Sequence, residues 1–224
     1  MTTTATSRRE AKDALFDGFA TIAGALASGR RAEIIELLAQ GERTVDEVAH
    51  EIDQSVANTS HHLRALARAG LVITRRAGTH VHYRLASSTV LDAWIALRDL
   101  AAERLDDLPT LAAAYLGDRS EVEIITRDEL DRRRQDREVV IIDVRPAAEY
   151  AAGHLPGAIS TPHDQLDQVL DTLPEQGDIV AYCRGPFCVY ADDAIRELRA
   201  RGRRALRLEE GLPEWRRNGG GIET

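Results

Sequence analysis

Apolar residues recur every three or four positions through the first part of the chain and give way to short apolar runs in the second. Leu15, Phe19, Ile22 and Leu26 keep helical spacing, and Ile34, Ile35, Leu37 and Leu38 mark a second helix ended by Gly41. Thr44-Val45-Asp46-Glu47 opens a third helix. Thr44 stands as its N-cap, Glu47 three residues later completes a capping box, and Val48 and Ile52 form the apolar face. Ser55 is placed to cap a fourth helix that runs to about Ala69.

After Gly70 the period changes to two. Leu71 to Arg76, a turn at Ala77-Gly78, and Thr79 to Leu85 predict a β-hairpin, followed by a long helix from about Ser88 to Asp106. Farther on, strands are expected at 123–125, 139–142, 179–182 and 205–208, with helices at about 127–135, 147–152, 163–170, 188–201 and 212–218. Strands alternating with helices predict a mostly parallel sheet covered on both faces. The chain therefore divides into a tail expected to be disordered (1–9), a mainly α domain with a β-hairpin (10–107), a linker (108–119) and an α/β domain (120–224). Within the linker, Leu111 to Leu116 have the composition for a helical turn.

Composition fits this division. With 224 residues and 43% hydrophobic content the chain can fill two cores, and no apolar run approaches a membrane span. The N-terminus lacks the apolar segment of a secretory signal, so the expected compartment is the cytoplasm.

The formal net charge of −8 alone argues against nucleic acid, but its distribution does not. Between Asp53 and Asp92 there is no carboxylate, while Arg64, Arg68, Arg75, Arg76, Arg84 and four histidines lie in that stretch. A basic island in an acidic chain suits a phosphate backbone, and a solvated cationic face is the alternative reading.

Helix-turn-helix followed by a hairpin wing gives the island a geometry for duplex DNA. On the fourth helix Thr59, Leu63 and Leu66 form the inward seam, and His62 points nearer that side. Ser55, Ala57, Asn58, Ser60, His61, Arg64 and Arg68 are the candidate DNA-facing residues of this helix; Arg75, Arg76, Thr79 and His80 are those of the wing. The stretches Ala25-Leu26-Ala27-Ser28-Gly29-Arg30-Arg31-Ala32-Glu33-Ile34-Ile35-Glu36-Leu37-Leu38 and Thr59-Ser60-His61-His62-Leu63-Arg64-Ala65-Leu66-Ala67-Arg68-Ala69-Gly70-Leu71-Val72 resemble the ArsR/SmtB family of bacterial repressors. The resemblance implies a homodimer packed through the first and last helices of this domain, with two recognition helices about 34 Å apart on a two-fold symmetric operator. The family's metal-sensing positions hold no ligand set here: near 45–51 there are only His50 and carboxylates, and residues 88–106 carry no histidine. No metal and no cofactor are expected.

The chain has two cysteines, Cys183 and Cys188, in Ile179-Val180-Ala181-Tyr182-Cys183-Arg184-Gly185-Pro186-Phe187-Cys188-Val189. A loop between strand and helix aims backbone N–H groups and a helix N-terminus at one sulfur, which favours a thiolate; an inert buried cysteine is the alternative. From Ser120 onward the chain resembles a single-domain rhodanese. The matches are Asp143-Val144-Arg145-Pro146-Ala147-Ala148-Glu149-Tyr150-Ala151-Ala152-Gly153-His154-Leu155-Pro156-Gly157-Ala158-Ile159, Glu209-Glu210-Gly211-Leu212-Pro213-Glu214-Trp215, and Cys183 at the family's sulfur-accepting position.

That resemblance implies a persulfide on Cys183 cradled by Arg184, Gly185, Pro186, Phe187, Cys188 and Val189, with N–H groups of residues 184 to 189 holding its charge. Arg184 adds positive potential, and Asp143, Arg145 and Glu149 organise the strand ends; for Arg145 a buried ion pair is an equal reading. The phosphatase chemistry of a related fold needs arginine six positions after the cysteine, where Val189 stands. Cys188 either resolves the persulfide or begins the next helix as a small apolar residue.

The preferred reading is a repressor whose rhodanese-like domain reports reactive sulfur through Cys183, its partners being operator DNA, a second copy of the chain and a small sulfur donor such as polysulfide, thiosulfate or a low-molecular-weight persulfide. The rival is a sulfurtransferase in which the winged helix only dimerises or tethers. A third has the DNA domain answer a small ligand in the dimer interface.

Overall fold

The computed structural model describes residues 7–135, 139–173 and 177–224. Two units are distinct, Met1–Leu97 and Arg98–Thr224. No helix of the described residues is long and apolar enough to cross a membrane.

The first unit holds α1 (Arg8–Leu26), α2 (Gly29–Ala39), β1 (Arg43–Thr44), α3 (Val45–Glu51), α4 (Val56–Arg68), β2 (Val72–Ala77), β3 (His80–Leu85) and the start of α5 (Ser88–Arg104). The tail ends earlier than the sequence suggests. Ser7 caps α1 through a capping box in which Glu10 N–H donates to the Ser7 hydroxyl at 3.2 Å and the Glu10 carboxylate accepts from Ser7 N–H at 2.7 Å. Residues 1–6 of that tail lie outside the described residues. Thr44 and Glu47 form the expected capping box on α3, and Ser55 caps α4 by accepting from Asn58 N–H at 3.3 Å.

Ile34, Ile35, Leu38, Val48, Leu63 and Leu66 fill a core closed by Leu71, Val72 and Val90. α1 buries none of its residues, and Leu15, Phe16, Phe19 and Ile22 stay exposed. The hairpin turn falls one residue later than expected. Ala77 pairs with His80, and Gly78 takes φ 61°, which suits glycine at the first of two loop positions. The two-residue β1 escapes the sequence pattern and pairs with β3 to give the antiparallel order β1-β3-β2.

The second unit begins within α5 and continues through α6 (Leu108–Leu116), β4 (Ile124–Ile125), α7 (Arg127–Gln135), β5 (Val139–Asp143), α8 (Ala147–Ala152), β6 (Ile159–Ser160), α9 (Leu166–Val169), β7 (Asp178–Tyr182), α10 (Val189–Ala200), β8 (Ala205–Leu208) and α11 (Leu212–Arg217). The expected linker is thus helical over most of its length: Pro109 sits in the first turn of α6, where no N–H is missed, and Leu111 to Ala114 are good helix formers. The helix expected at 163–170 is instead short α9 flanked by single 3-10 turns at His163–Gln165 and Leu170–Thr172.

All strand pairs of this sheet are parallel, in the order β4-β8-β7-β5-β6. Side chains alternate across it. Ile179, Ala181 and Cys183 face the cluster under α10, while Val180 and Tyr182 face the cluster with Leu130, Leu212 and Trp215. The loops after β5, β7 and β8 leave the carboxyl ends of adjacent strands, where open parallel sheets place their ligands.

Candidate functional site

On α4 the expected outward residues Ser55, Ala57, Asn58, His61, Arg64 and Arg68 are exposed, Ser60 is half-buried, and Thr59, Leu63 and Leu66 are buried. Ser55 and Asn58 are partly occupied with the helix start, since Asn58 also donates from its side chain to Gln54 at 2.7 Å. Arg64 donates back to the Ser60 carbonyl at 3.2 Å. His62 is half-buried, and burial, followed by the neighbouring charges of His61, Arg31 and Arg30, holds its ring below the ordinary histidine range.

On the wing Arg75, Arg76, Thr79 and His80 are exposed. The basic island meets a counter-charge that chain order hides. Glu42 accepts from Arg75 at 2.5 and 3.3 Å, and that hydrogen bond holds the Glu42 carboxyl below its usual range. Arg75 therefore offers less net charge to a phosphate than Arg76 does.

The second site lies at the end of β7. Cys183 follows Tyr182, the chain turns through Arg184–Phe187, and Cys188 is the N-cap of the twelve-residue α10. Cys183 and Cys188 are joined by a disulfide, their Cα atoms 6.2 Å apart. In this cross-linked form Cys183 is 2% exposed, whereas the sequence suggests an accessible thiol. The cause is the alternation of β7, which aims Cys183 into the face covered by Ala191 and Ala194.

The N–H cradle is also narrower than residues 184 to 189 would allow. Pro186 has no N–H, and that of Cys188 donates to the Gly185 carbonyl at 3.2 Å.

Arg184 does not stand as an open cation. Its guanidinium grips the fully buried Glu149 carboxylate at 2.6 to 3.1 Å, offsetting the positive potential expected of it. It also lies 5.3 Å from the Tyr190 ring, which stacks on His163 at 3.9 Å. Asp143 and Arg145 form the buried pair: Arg145 donates to Asp143 at 2.5 to 3.2 Å and to the Gly153 carbonyl at 2.8 Å. Burial opposes the Arg145 cation, yet the bonds and charge of Asp143 keep its pKa above the ordinary value. The Tyr182 hydroxyl also donates to Asp143, and burial pushes that phenol up. Asp143, Arg145 and Tyr182 thus fix the strand ends from within the core.

Residues that sequence reasoning missed hold the loop from behind. Gly211 lies backbone to backbone against Gly185, and Leu212 N–H donates to the Cys183 carbonyl at 3.2 Å. Arg207 donates to the carbonyls of Gly185 and Pro186 at 2.9 and 3.3 Å, and Arg119 donates to Pro186 at 3.0 Å. Both arginines engage Asp192, which is fully buried. The signal was present: Arg207 interrupts the apolar strand Ala205–Leu208, and Asp192 falls on the Ala191, Ala194, Ile195, Leu198 face of α10. Among the described residues no group of three or more His, Cys, Asp and Glu side chains is arranged to hold a metal ion.

Residues 28–74 match the family model of the bacterial regulatory protein, arsR family, and residues 126–218 match that of the rhodanese-like domain. Over 205 residues the chain is 46% identical to the HTH-type transcriptional regulator Rv0324 of Mycobacterium tuberculosis, an alignment covering 92% of this chain and 90% of that protein. It is 32% identical over 96 residues to a sulfurtransferase of Allochromatium vinosum, covering 42% of this chain and 89% of the relative. Among solved structures it resembles the homodimeric winged helix-turn-helix DNA-binding domain (fragment 1-100) of Mb0332 from Mycobacterium bovis, at 39% identity and a TM-score of 0.41, over 46% of this chain and 94% of that one.

Proposed function

Since the chain belongs to the ArsR family of transcriptional regulators and carries a rhodanese-like domain, we propose that it is a repressor whose operator affinity answers reactive sulfur through Cys183 and Cys188. The observation that carries this reading is the cross-link itself. The position expected to accept sulfur and a second cysteine are close enough to bond within one loop, at the head of a helix.

The chemistry balances with a sulfane donor, RSSH. The Cys183 thiolate attacks the outer sulfur, forming a Cys183 persulfide and expelling the thiolate RS⁻. The Cys188 thiolate then attacks the inner sulfur of that persulfide, breaking its S–S bond and releasing hydrosulfide. The two cysteines lose two electrons in forming the disulfide, and the donated sulfane sulfur is reduced to sulfide. A low-molecular-weight thiol reduces the cross-link and resets the loop.

Binding to an operator is read as dimeric. Leu15, Phe16 and Phe19 on α1 and Leu97 and Leu100 on α5 are exposed, and packing two copies through these helices would cover them. Two copies would then set their α4 helices about 34 Å apart, one turn of DNA. A hundredfold change in operator affinity needs only about 2.7 kcal/mol of coupling.

Mass spectrometry of reduced protein treated with polysulfide tests the chemistry. Cys183 gains one sulfur, the gain gives way to the Cys183–Cys188 cross-link, and hydrosulfide appears in step with it. Repeated transfer of sulfur to cyanide or a thiol, with no cross-link at any time, would support the sulfurtransferase reading instead.

A further inference from the structure

α10 carries a stripe at four-residue spacing that begins at the sulfur loop. Cys188 is its N-cap, Asp192 lies one turn on and Arg196 one turn beyond that. The stripe is occupied by the segment that follows α6. Arg196 donates to the carbonyls of Leu116 and Asp118 at 3.3 and 3.0 Å. Arg119 bonds Asp192 through Nε at 2.7 Å and reaches past it to the Pro186 carbonyl at 3.0 Å. One arginine therefore touches the middle of the sulfur loop and the helix that Cys188 caps.

The arrangement has a polarity useful for signalling. Pro186 lies between the two cysteines, so its carbonyl belongs to the ring that the disulfide closes. Arg207 shares both ends of the contact, with Nε 3.0 Å from Asp192 and its terminal nitrogen 3.3 Å from the same carbonyl. Arg207 is nearly buried on β8, whereas the Arg119 side chain is 26% exposed and stands on irregular chain. Of these two cations on Pro186, Arg119 is thus the one that ties the loop to the segment following α6. The chain leading to it, α5 through α6, is continuous with the DNA-reading unit.

Resting on the sulfur-sensing reading above, we infer that Arg119 relays the state of the sulfur loop to the segment joining α6 to the rhodanese-like sheet. It does so by holding the Pro186 carbonyl and Asp192 together. Closing or opening the Cys183–Cys188 bond moves the carbonyl that Arg119 holds, and the residues between α6 and β4 move with it. Arg119 has no part in the sulfur chemistry itself.

Operator binding and mass spectrometry on the full chain test this, using wild type, Arg119→Ala and Arg119→Lys, each reduced and each treated with polysulfide. Arg119→Ala leaves Asp192 its Arg207 partner, and Arg119→Lys keeps a cation beside Asp192 without the fork that also reaches Pro186. Both variants keep both cysteines and are expected to reach the Cys183–Cys188 cross-link, while their operator affinity changes less than about twofold, against tenfold or more for wild type. If Arg119→Ala is poorly folded, Arg119→Lys alone decides.

A full affinity response in the folded variants overturns the relay. Loss of cross-linking also overturns it, because Arg119 would then act in the chemistry. A wild-type protein that cross-links without changing operator affinity removes the sensing reading, and the relay with it.

Discussion

The backbone of Gly211 lies so close to that of Gly185 that a Cβ added at Gly211 would overlap the Gly185 nitrogen and the Arg184 carbonyl carbon. Gly211 has φ −89°, so its requirement is for space and not for an unusual backbone. The turn after β8 thereby seats the Cys183–Cys188 loop, helped by the hydrogen bond from Leu212 to Cys183. Gly211→Ala should cost about 1–3 kcal/mol by overpacking and change the alkylation rate of reduced Cys183. Gly185→Ala is the control, because its added Cβ meets the Glu214 carboxylate at an ordinary 3.6 Å. Urea unfolding of both variants checks the contrast; equal costs would contradict it.

The Arg184–Glu149 pair should separate stability from reactivity. Glu149 is fully buried, and Arg184→Ala removes its main cation, a loss of about 3 kcal/mol in urea unfolding. Glu149→Gln keeps the shape and weakens the charge offset. Reaction of reduced Cys183 with an anionic donor should then quicken several-fold at low salt and return toward the wild-type rate at high salt. An unchanged rate at low salt would mean that Arg184 contributes no potential at the sulfur.

Much of this architecture is legible in the chain because local signals and burial agree. The Thr44–Glu47 capping box, the Thr59, Leu63, Leu66 seam and the alternation of β7 each state their own structure. What was hidden depends on partners distant in sequence. Glu42 lies 33 residues before Arg75, Arg119 lies 73 before Asp192, and the two-residue strands β1 and β6 exist only through pairing. At Cys183 two local signals conflict: its loop neighbours suggest exposure, while the parity of β7 buries it in the cross-linked form.

A pH dependence follows from His62. Its folded pKa lies below its ordinary value, so the native state favours the neutral ring and the unfolded chain binds the extra proton. The contribution is fully present above about pH 6.5 and declines as pH falls through that value toward the lowered folded pKa. The urea midpoint of the first unit should therefore drop between about pH 8 and about pH 5.5, and His62→Gln should flatten that part of the drop. An identical slope in the variant would assign it to other groups.

The two wing arginines should differ on DNA. Arg76→Ala should weaken operator binding and reduce the slope of log affinity against log salt by about 0.9, the effect of one lost phosphate contact. Arg75→Ala should change both less, because Glu42 already faces that guanidinium. Titrations over a salt series distinguish them, and a larger effect at Arg75 would mean that DNA displaces Glu42.

Operator affinity of wild type and Cys183→Ser, each fully reduced and each exposed to polysulfide, tests the central claim most directly. The account predicts that wild type shifts by tenfold or more while Cys183→Ser does not respond. An equal shift in both proteins would show that sulfur reaches the DNA-reading unit by a route that bypasses Cys183.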